Sequence, residues 1–293
     1  MPITRRDFVI MTAGAATFAC RSAEAEADRG LFWRVETPDG GRGIVFGYGR
    51  IAAALTPDIV QDGARLAETA KRAVLDMPNV QLPAMKVAST LPPLLPKLDA
   101  SLAEDVRKIL AAMRIPQEQI EKLPGFIIAN LLYGDGQTNP NPTVGGVIMD
   151  RAKALGRPVT TLLSTTDVEH LRKPVDFDAL DKRVDRGTIA FLLDTRRRVG
   201  PVGAYCDTLY RQRRGEDLER FTQLLTDHGL PQTQAFLDGE ADRAMLLDRL
   251  PAMLKPQQAD DLALCFLPIG LVTGSKSILA RLREQGAQTS TIA

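Results

Sequence analysis

The chain has 293 residues, a formal net charge of +1 and 5% aromatic residues. A net charge this small and so few aromatic residues argue against the basic surface and the aromatic stacking surface that are typical of nucleic-acid-binding proteins. Two histidines in the whole chain argue against a histidine-rich metal site.

The amino terminus has the features of an export signal. Arg5 and Arg6 come just before a short apolar stretch, which is the arrangement of the twin-arginine signal of bacterial export. The apolar stretch is too short and too weakly hydrophobic to span a membrane. Small residues make Ala25 and Ala27 candidate cleavage sites for a signal peptidase. The sequence therefore predicts a twin-arginine signal peptide over residues 1–27 and a periplasmic protein.

The rest of the chain, residues 28–293, is long enough for a sizeable core and is predicted to form a single domain. Its two cysteines are Cys206 and Cys265, and an oxidising compartment allows them either to pair or to remain buried thiols. Cys20 lies in the signal region. An alternative hypothesis is a lipoprotein that is anchored through this cysteine.

The mature region is predicted to open with a β-hairpin. Alternating apolar residues indicate strands over 31–37 and 43–48, joined by a Pro-Asp-Gly-Gly turn at 38–41. Apolar residues at helical spacing predict a helix over 56–77, and the next strand is predicted over 84–89. The opening of the domain is therefore a hairpin that leads into a βαβ unit.

The central part of the chain alternates between helices and one further strand. Helical periodicity predicts helices over 101–113 and 144–155, and the apolar run 125–133 predicts a buried helix. Residues 134–142 have only loop signals. A buried strand is predicted over 158–163.

The last third is mostly helical. A last core strand is predicted over 262–267, followed by a final helix over 275–285 with Ser275 as its amino cap. Together the elements predict an α/β fold, a mixed sheet sandwiched by helices with a helical insert. The other predicted helices cover residues 177–198, which form the insert, 204–214, 217–228 and 241–254.

A glycine turn follows the second predicted strand. Gly47-Tyr48-Gly49-Arg50 has the form of a Gly-x-x-His metal motif, with arginine in place of the histidine. Further along come an Arg-Ala-Lys helix with its strand at 151–163, a helix start at 242–243, and a strand, glycine turn and helix at 265–286. In this order the segments resemble the bacterial TraB/GumN family, relatives of the Tiki metalloproteases, and the resemblance covers nearly all of the mature chain.

The resemblance implies a divalent-metal site with two histidines and a glutamate from three strand ends. In this chain those positions are Arg50, Leu163 and Leu271, and the acidic residue expected ahead of the Arg-Ala-Lys helix is Gly145. Leucine has no lone pair for a metal, and arginine stays protonated and repels a divalent cation. We therefore predict no cofactor and a degenerate, non-catalytic member of the family.

Such a pseudoenzyme is expected to use its former active-site crevice for binding. The residues expected there are Gly47, Arg50, Arg243 and Gly270, and the partner is expected to be a peptide, a glycan or an envelope protein. A fixed positive charge on Arg50 suits a carboxylate or another anion.

Two alternatives stay open. In the first, Asp167, Glu169 and His170 form a rearranged divalent-metal site of an active hydrolase or protease, although these residues are also typical of a solvated first helical turn. In the second, the protein has a structural role in envelope assembly. A basic cluster at Arg211, Arg213 and Arg214 is predicted to close a helix, with anionic lipid or polysaccharide as a further hypothesis.

Overall fold

A computed structural model describes residues 30–78, 91–171, 176–230, 239–255, 261–274 and 277–292, without the side chains of 171 and 239–243. The fold is α/β, with one mixed sheet between layers of helices, as the sequence predicts. The six strands of this sheet are β1 (Phe32–Glu36), β2 (Arg42–Tyr48), β3 (Arg72–Leu75), β4 (Val159–Thr161), β5 (Ala263–Pro268) and β6 (Gln288–Thr291).

The strand order in the sheet is β4-β3-β5-β2-β1-β6. The first four strands of this order are parallel, while β1 is antiparallel to both β2 and β6. The two central strands, β5 and β2, consist almost entirely of apolar residues and glycine, because helices cover both of their faces. The predicted hairpin and the predicted core strand at 262–267 are therefore confirmed.

Helices cover both faces of the sheet. Short 3-10 helices occupy Ala53–Leu55 and Leu95–Lys97. The α-helices among the described residues are α1 (Pro57–Thr69), α2 (Ala100–Ala112), α3 (Gln117–Ile120), α4 (Gly125–Tyr133), α5 (Val144–Ala154), α6 (Thr165–Leu171), α7 (Phe177–Arg183), α8 (Arg186–Val199), α9 (Val202–Arg211), α10 (Gly215–Asp227), α11 (Gly239–Leu254), α12 (Ile269–Val272) and α13 (Ile278–Glu284).

Two hydrophobic cores lie on opposite faces of the sheet, because successive side chains of a strand point to opposite sides. In β2, Ile44 and Phe46 belong to the first core and Val45 belongs to the second. Phe46 stacks on Phe32 in the first core, with ring centroids 4.6 Å apart. Truncating such a buried phenylalanine to alanine costs roughly 3–5 kcal/mol, so this core holds the sheet against the helices.

Most predicted helices are confirmed within a few residues, and some of them begin at a side-chain cap. Thr143 begins α5 by accepting a hydrogen bond from the amide of Gly146, and Gly156 ends the turn after it with a φ of +68°. The predicted insert 177–198 divides into two helices. The break comes at Asp185, whose side chain accepts from the amide of Thr188 in a capping box.

The prediction of one helix over 56–77 is wrong. Helix α1 ends at Thr69, Ala70 is already extended, and β3 follows after one further residue. The four residues of β3 are too few for periodicity to separate a buried strand from a helix, and no glycine or proline marks the change. The strand predicted over 84–89 lies outside the described residues.

Three smaller differences lie near the ends of the sheet. The strand predicted as buried over 158–163 is β4, an edge strand in which Val159 is 38% exposed. The amino cap of α13 is Ser277, which accepts from the amide of Ala280 at 3.0 Å, while Ser275 lies outside the described residues. Strand β6 was not predicted, because its sequence Gln-Thr-Ser-Thr has no apolar alternation.

Candidate functional site

The four parallel strands end along one edge of the sheet. Tyr48 at the end of β2 is level with Pro268 of β5, and Leu75 at the end of β3 is level with Thr161 of β4. Open α/β sheets bind ligands at such carboxyl ends. The candidate site is therefore this edge and the loops that follow each strand.

Arg50 lies at this edge on a tightly packed glycine turn. The hydroxyl of Tyr210 donates to the carbonyl of Gly47 at 3.1 Å, and a Cβ at Gly49 would lie 3.0 Å from Cε2 of the same ring. A larger residue at this position would require the ring of Tyr210 to shift. Arg50 itself is exposed, and its guanidinium has no hydrogen bond or ion pair within the described ranges.

The two leucines at the other expected ligand positions are structural. Leu163 is 0% exposed in the second core, and Leu271 in α12 packs against the same core. Strands β4 and β2 are separated by two strands, so the residues after them are roughly 14 Å apart at the usual strand spacing. Arg50 and Leu163 therefore do not share a metal-sized site.

The remaining residues expected at the crevice have close neighbours. A Cβ at Gly47 would lie 2.5 Å from Cδ1 of Ile269, and one at Gly270 would lie 2.8 Å from a carboxylate oxygen of Glu219. Space at Gly145 is limited too, since a Cβ there would lie 3.3 Å from Cβ of Tyr48. Arg243 is on α11, and its side chain lies outside the described part of the chain.

The sequence interpretation missed a polar pair at the same edge. The hydroxyl of Tyr48 donates to Oδ2 of Asp76 at 3.0 Å, and Asp76 is only 3% exposed. Its backbone accepts from the amide of Leu163 at 2.9 Å and donates to the carbonyl of Phe266 at 3.1 Å. Asp76 thus joins the ends of all four parallel strands. The sequence signal for Asp76 is an acidic residue directly after an apolar strand. This signal was missed because residues 56–77 were predicted to form one helix.

Burial changes the protonation of this pair. Removal from water raises the pKa of Asp76 to about 6, while the hydrogen bond from Tyr48 opposes that rise. Burial and the nearby Asp76 carboxylate raise the pKa of Tyr48, so its phenol stays a donor. The pair can hold or release one proton near neutral pH.

The residues of the predicted alternative metal site do not form a ligand set. Both carboxylate oxygens of Asp167 accept from Arg249, and the amide and hydroxyl of Ser164 donate to one of them. These donors hold the pKa of Asp167 well below its usual range. Glu169 and His170 are exposed on α6. Within the residues that the structure describes, no group of three His, Cys, Asp or Glu side chains could hold a metal ion.

The two described cysteines are buried, and His228 has partners of its own. Cys206 belongs to the first core and Cys265 to the second, so both are free thiols, and burial raises the pKa of each to about 12. His228 lies at the carboxyl end of α10, as predicted, and stacks on Phe191 with ring centroids 3.8 Å apart. None of these groups faces the strand ends as an activated nucleophile.

A shallow pocket of about 220 Å³ lies at the opposite end of β2, beside the hairpin turn at Thr37 and Asp39. Among the described residues that line it, Asp39 is the titratable one, and it forms an ion pair with Lys255 at 2.9 Å. The chemistry at the carboxyl ends of the strands is the better guide to function. No helix of the described ranges is long and apolar enough to cross a membrane.

Family models, curated protein sequences and solved structures gave no match to this chain. The resemblance to the TraB/GumN family therefore stays a prediction from the motifs.

Proposed function

We propose that this chain is a non-catalytic binding protein of the periplasm, a degenerate TraB/GumN-like pseudoenzyme. Its partner is a peptide, a glycan or an envelope protein that presents an anionic group to Arg50. The observation that carries the proposal is the exposed guanidinium of Arg50, which has no partner among the described residues and is held on a packed turn at the strand ends. An exposed guanidinium on a fixed backbone is suited to a carboxylate or phosphate.

The expected ligand positions support a binding role over the ancestral chemistry. Arg50 is a cation, and Leu163 is an apolar part of the second core. A metal placed between them would lose two ligands and gain a repulsive charge. The proposed binding role requires no cofactor.

The first test measures metal content. The mature protein is purified after native export without added metal, and manganese, iron, cobalt and zinc are determined by elemental analysis before and after incubation with each ion. We expect well below one ion per chain in both samples. A bound ion near one per chain would overturn the non-catalytic proposal.

The second test measures anion binding by Arg50. Acetate is titrated into the protein at low ionic strength and followed by backbone amide NMR shifts, because exposed charges are screened by salt. We expect Arg50→Ala to lose the shifts around the turn. Arg183→Ala is the matched control, because Arg183 is another exposed arginine whose guanidinium has no partner among the described residues. Equal acetate shifts in Arg50→Ala and the parent would count against the role of Arg50.

A further inference from the structure

A second exposed arginine lies on the helix that packs against the turn of Arg50. Arg211 is the last residue of α9, and its guanidinium has no hydrogen bond or ion pair in the described part of the chain. Its neighbours in the basic cluster differ, because Arg213 pairs with Asp62 and Arg214 pairs with Asp217. Arg211 is thus the member of the cluster that is left available.

Packing brings the two arginines to the same region. The ring of Tyr210 lies against Gly49, and its hydroxyl is bonded to the carbonyl of Gly47. Arg50 and Arg211 are the residues immediately after Gly49 and Tyr210. The backbone positions of the two arginines are therefore fixed relative to each other by a buried contact.

The loop at 134–142 provides a second connection. Gln137 donates through Nε2 to the carbonyl of Arg50 at 3.5 Å, and the amide of Thr138 donates to Oδ2 of Asp207 at 3.1 Å. Asp207 and Arg211 are four residues apart on α9 and so share one helix face. One loop thus contacts Arg50 on one side and the face of Arg211 on the other.

We infer that Arg50 and Arg211 form the two sides of one cationic site for a doubly negative oxyanion, such as a phosphate monoester or two adjacent carboxylates. This inference rests on the proposed function, because it adds a second charge to the site of Arg50. Two separate guanidinium groups suit a dianion better than a single carboxylate, because each negative charge then has its own donor.

The acidic groups nearby leave Arg211 available. Asp207 is buried, Thr138 occupies its Oδ2, and no ion pair joins it to Arg211 within the described residues. Burial raises the pKa of Asp207, although the Thr138 amide and Arg211 oppose this rise. Asp135, in the same loop, is bound by Arg196 at 2.6 Å. Neither carboxylate therefore neutralises Arg211 by direct contact.

The test compares inorganic phosphate with acetate at pH 7.5 and low ionic strength. Each anion is titrated into the full mature protein and into Arg50→Ala, Arg211→Ala, Arg211→Lys and the control Arg183→Ala, with amide NMR shifts as the readout. We expect the parent to bind phosphate more tightly than acetate. Arg211→Ala should weaken phosphate binding roughly tenfold, as for a lost charge-assisted hydrogen bond, and should remove the preference for phosphate. Arg211→Lys should restore part of it, and Arg183→Ala should match the parent.

The outcomes separate this inference from the proposed function. If Arg50→Ala loses both anions while Arg211→Ala matches the parent, the second charge is wrong and the site of Arg50 stands. If neither substitution changes binding of either anion, both proposals fail. A parent protein that binds no phosphate, or binds it no better than acetate, overturns the inference. Thermal unfolding of each variant checks that the substitutions leave the fold intact.

Discussion

The phenol of Tyr48 donates a 3.0 Å hydrogen bond to the buried carboxylate of Asp76, and this bond spans the end of the central strand β5. The two residues come from β2 and from the end of β3, which lie on either side of β5. A carboxylate that is 3% exposed is costly to ionise, and the phenol offsets part of that cost. Asp76 therefore connects the protonation state of this edge to the stability of the sheet.

The first prediction concerns the pH dependence of stability. The pKa of Asp76 is about 6 in the folded protein, above the value of about 3.9 for an unfolded chain. At pH values between these two, the folded state therefore keeps a proton that the unfolded state has released. The resulting contribution of Asp76 to the free energy of unfolding is complete below pH 4 and is lost as pH rises through 6. Asp76→Asn cannot titrate. Between pH 4 and pH 7, the free energy of unfolding of Asp76→Asn should therefore increase relative to that of the parent, by about 3 kcal/mol at most.

Urea unfolding of both proteins at several pH values measures this difference directly. Comparison with the asparagine variant is necessary because other carboxylates, such as Asp39, have lowered pKa values and change stability in the opposite direction. A difference between variant and parent that stays constant from pH 4 to pH 7 would show that the Asp76 carboxylate has an ordinary pKa.

The second prediction concerns the phenol of Tyr48. Tyr48→Phe keeps the ring that packs against Gly145 but removes the donor to Asp76. The buried carboxylate then loses a partner, so we expect a loss of about 1–3 kcal/mol in the free energy of unfolding at pH 7. The pKa of Asp76 should rise further, so the loss should shrink below pH 5. A loss of equal size at pH 4.5 and pH 7 would assign it to packing alone.

The structure and the sequence interpretation agree best where an element has a strong pattern. The helix α4 is buried on nearly all sides and has a continuous apolar run, and the strands of the hairpin have alternating apolar residues. Both patterns are visible in the sequence alone. Strand β3 lacked such a pattern, because its short apolar run continues that of α1. Asp76 was missed as part of the site for the same reason, since residues 56–77 were predicted as one helix and no strand end was expected before Asp76.

The position of Arg50 after a strand was predictable, whereas the packing of Tyr210 from α9 on the turn before it was not. Arg50 follows a strand and a glycine turn, which are local signals in one segment. Tyr210 is more than 150 residues further along, and only the tertiary fold brings its ring onto Gly49. Long-range contacts of this kind depend on the tertiary fold, so spacing in the sequence carries no information on them.

The third prediction concerns Asp167 at the beginning of α6. The Arg249 guanidinium and Ser164 hold the pKa of Asp167 below its ordinary value, so their stabilisation is present above pH 4 and is lost as pH falls below it. Asp167→Asn should therefore be less stable than the parent at pH 7, and the difference should shrink in acid. Asp150→Asn is the matched control, because the exposed Asp150 has only a surface ion pair with Lys153.

Urea unfolding at pH 7 and pH 3 measures both variants. An Asp167→Asn variant that matches Asp150→Asn at both pH values would show that the contacts with Arg249 and Ser164 do not stabilise the fold.

The last prediction concerns the two thiols. Cys206 and Cys265 lie in cores on opposite faces of the sheet, so a disulfide between them would require the sheet to open. The mass of the mature protein should therefore be the same with and without reductant, whereas a disulfide would add two daltons on reduction. Because burial also raises the pKa of both thiols to about 12, a thiol reagent at pH 8 should modify neither until urea unfolds the chain. Cys265→Ser should behave like the parent in the folded state and take up one label instead of two when unfolded. Rapid labelling of the folded parent would contradict the burial of these residues, and a two-dalton shift on reduction would contradict their separation by the sheet.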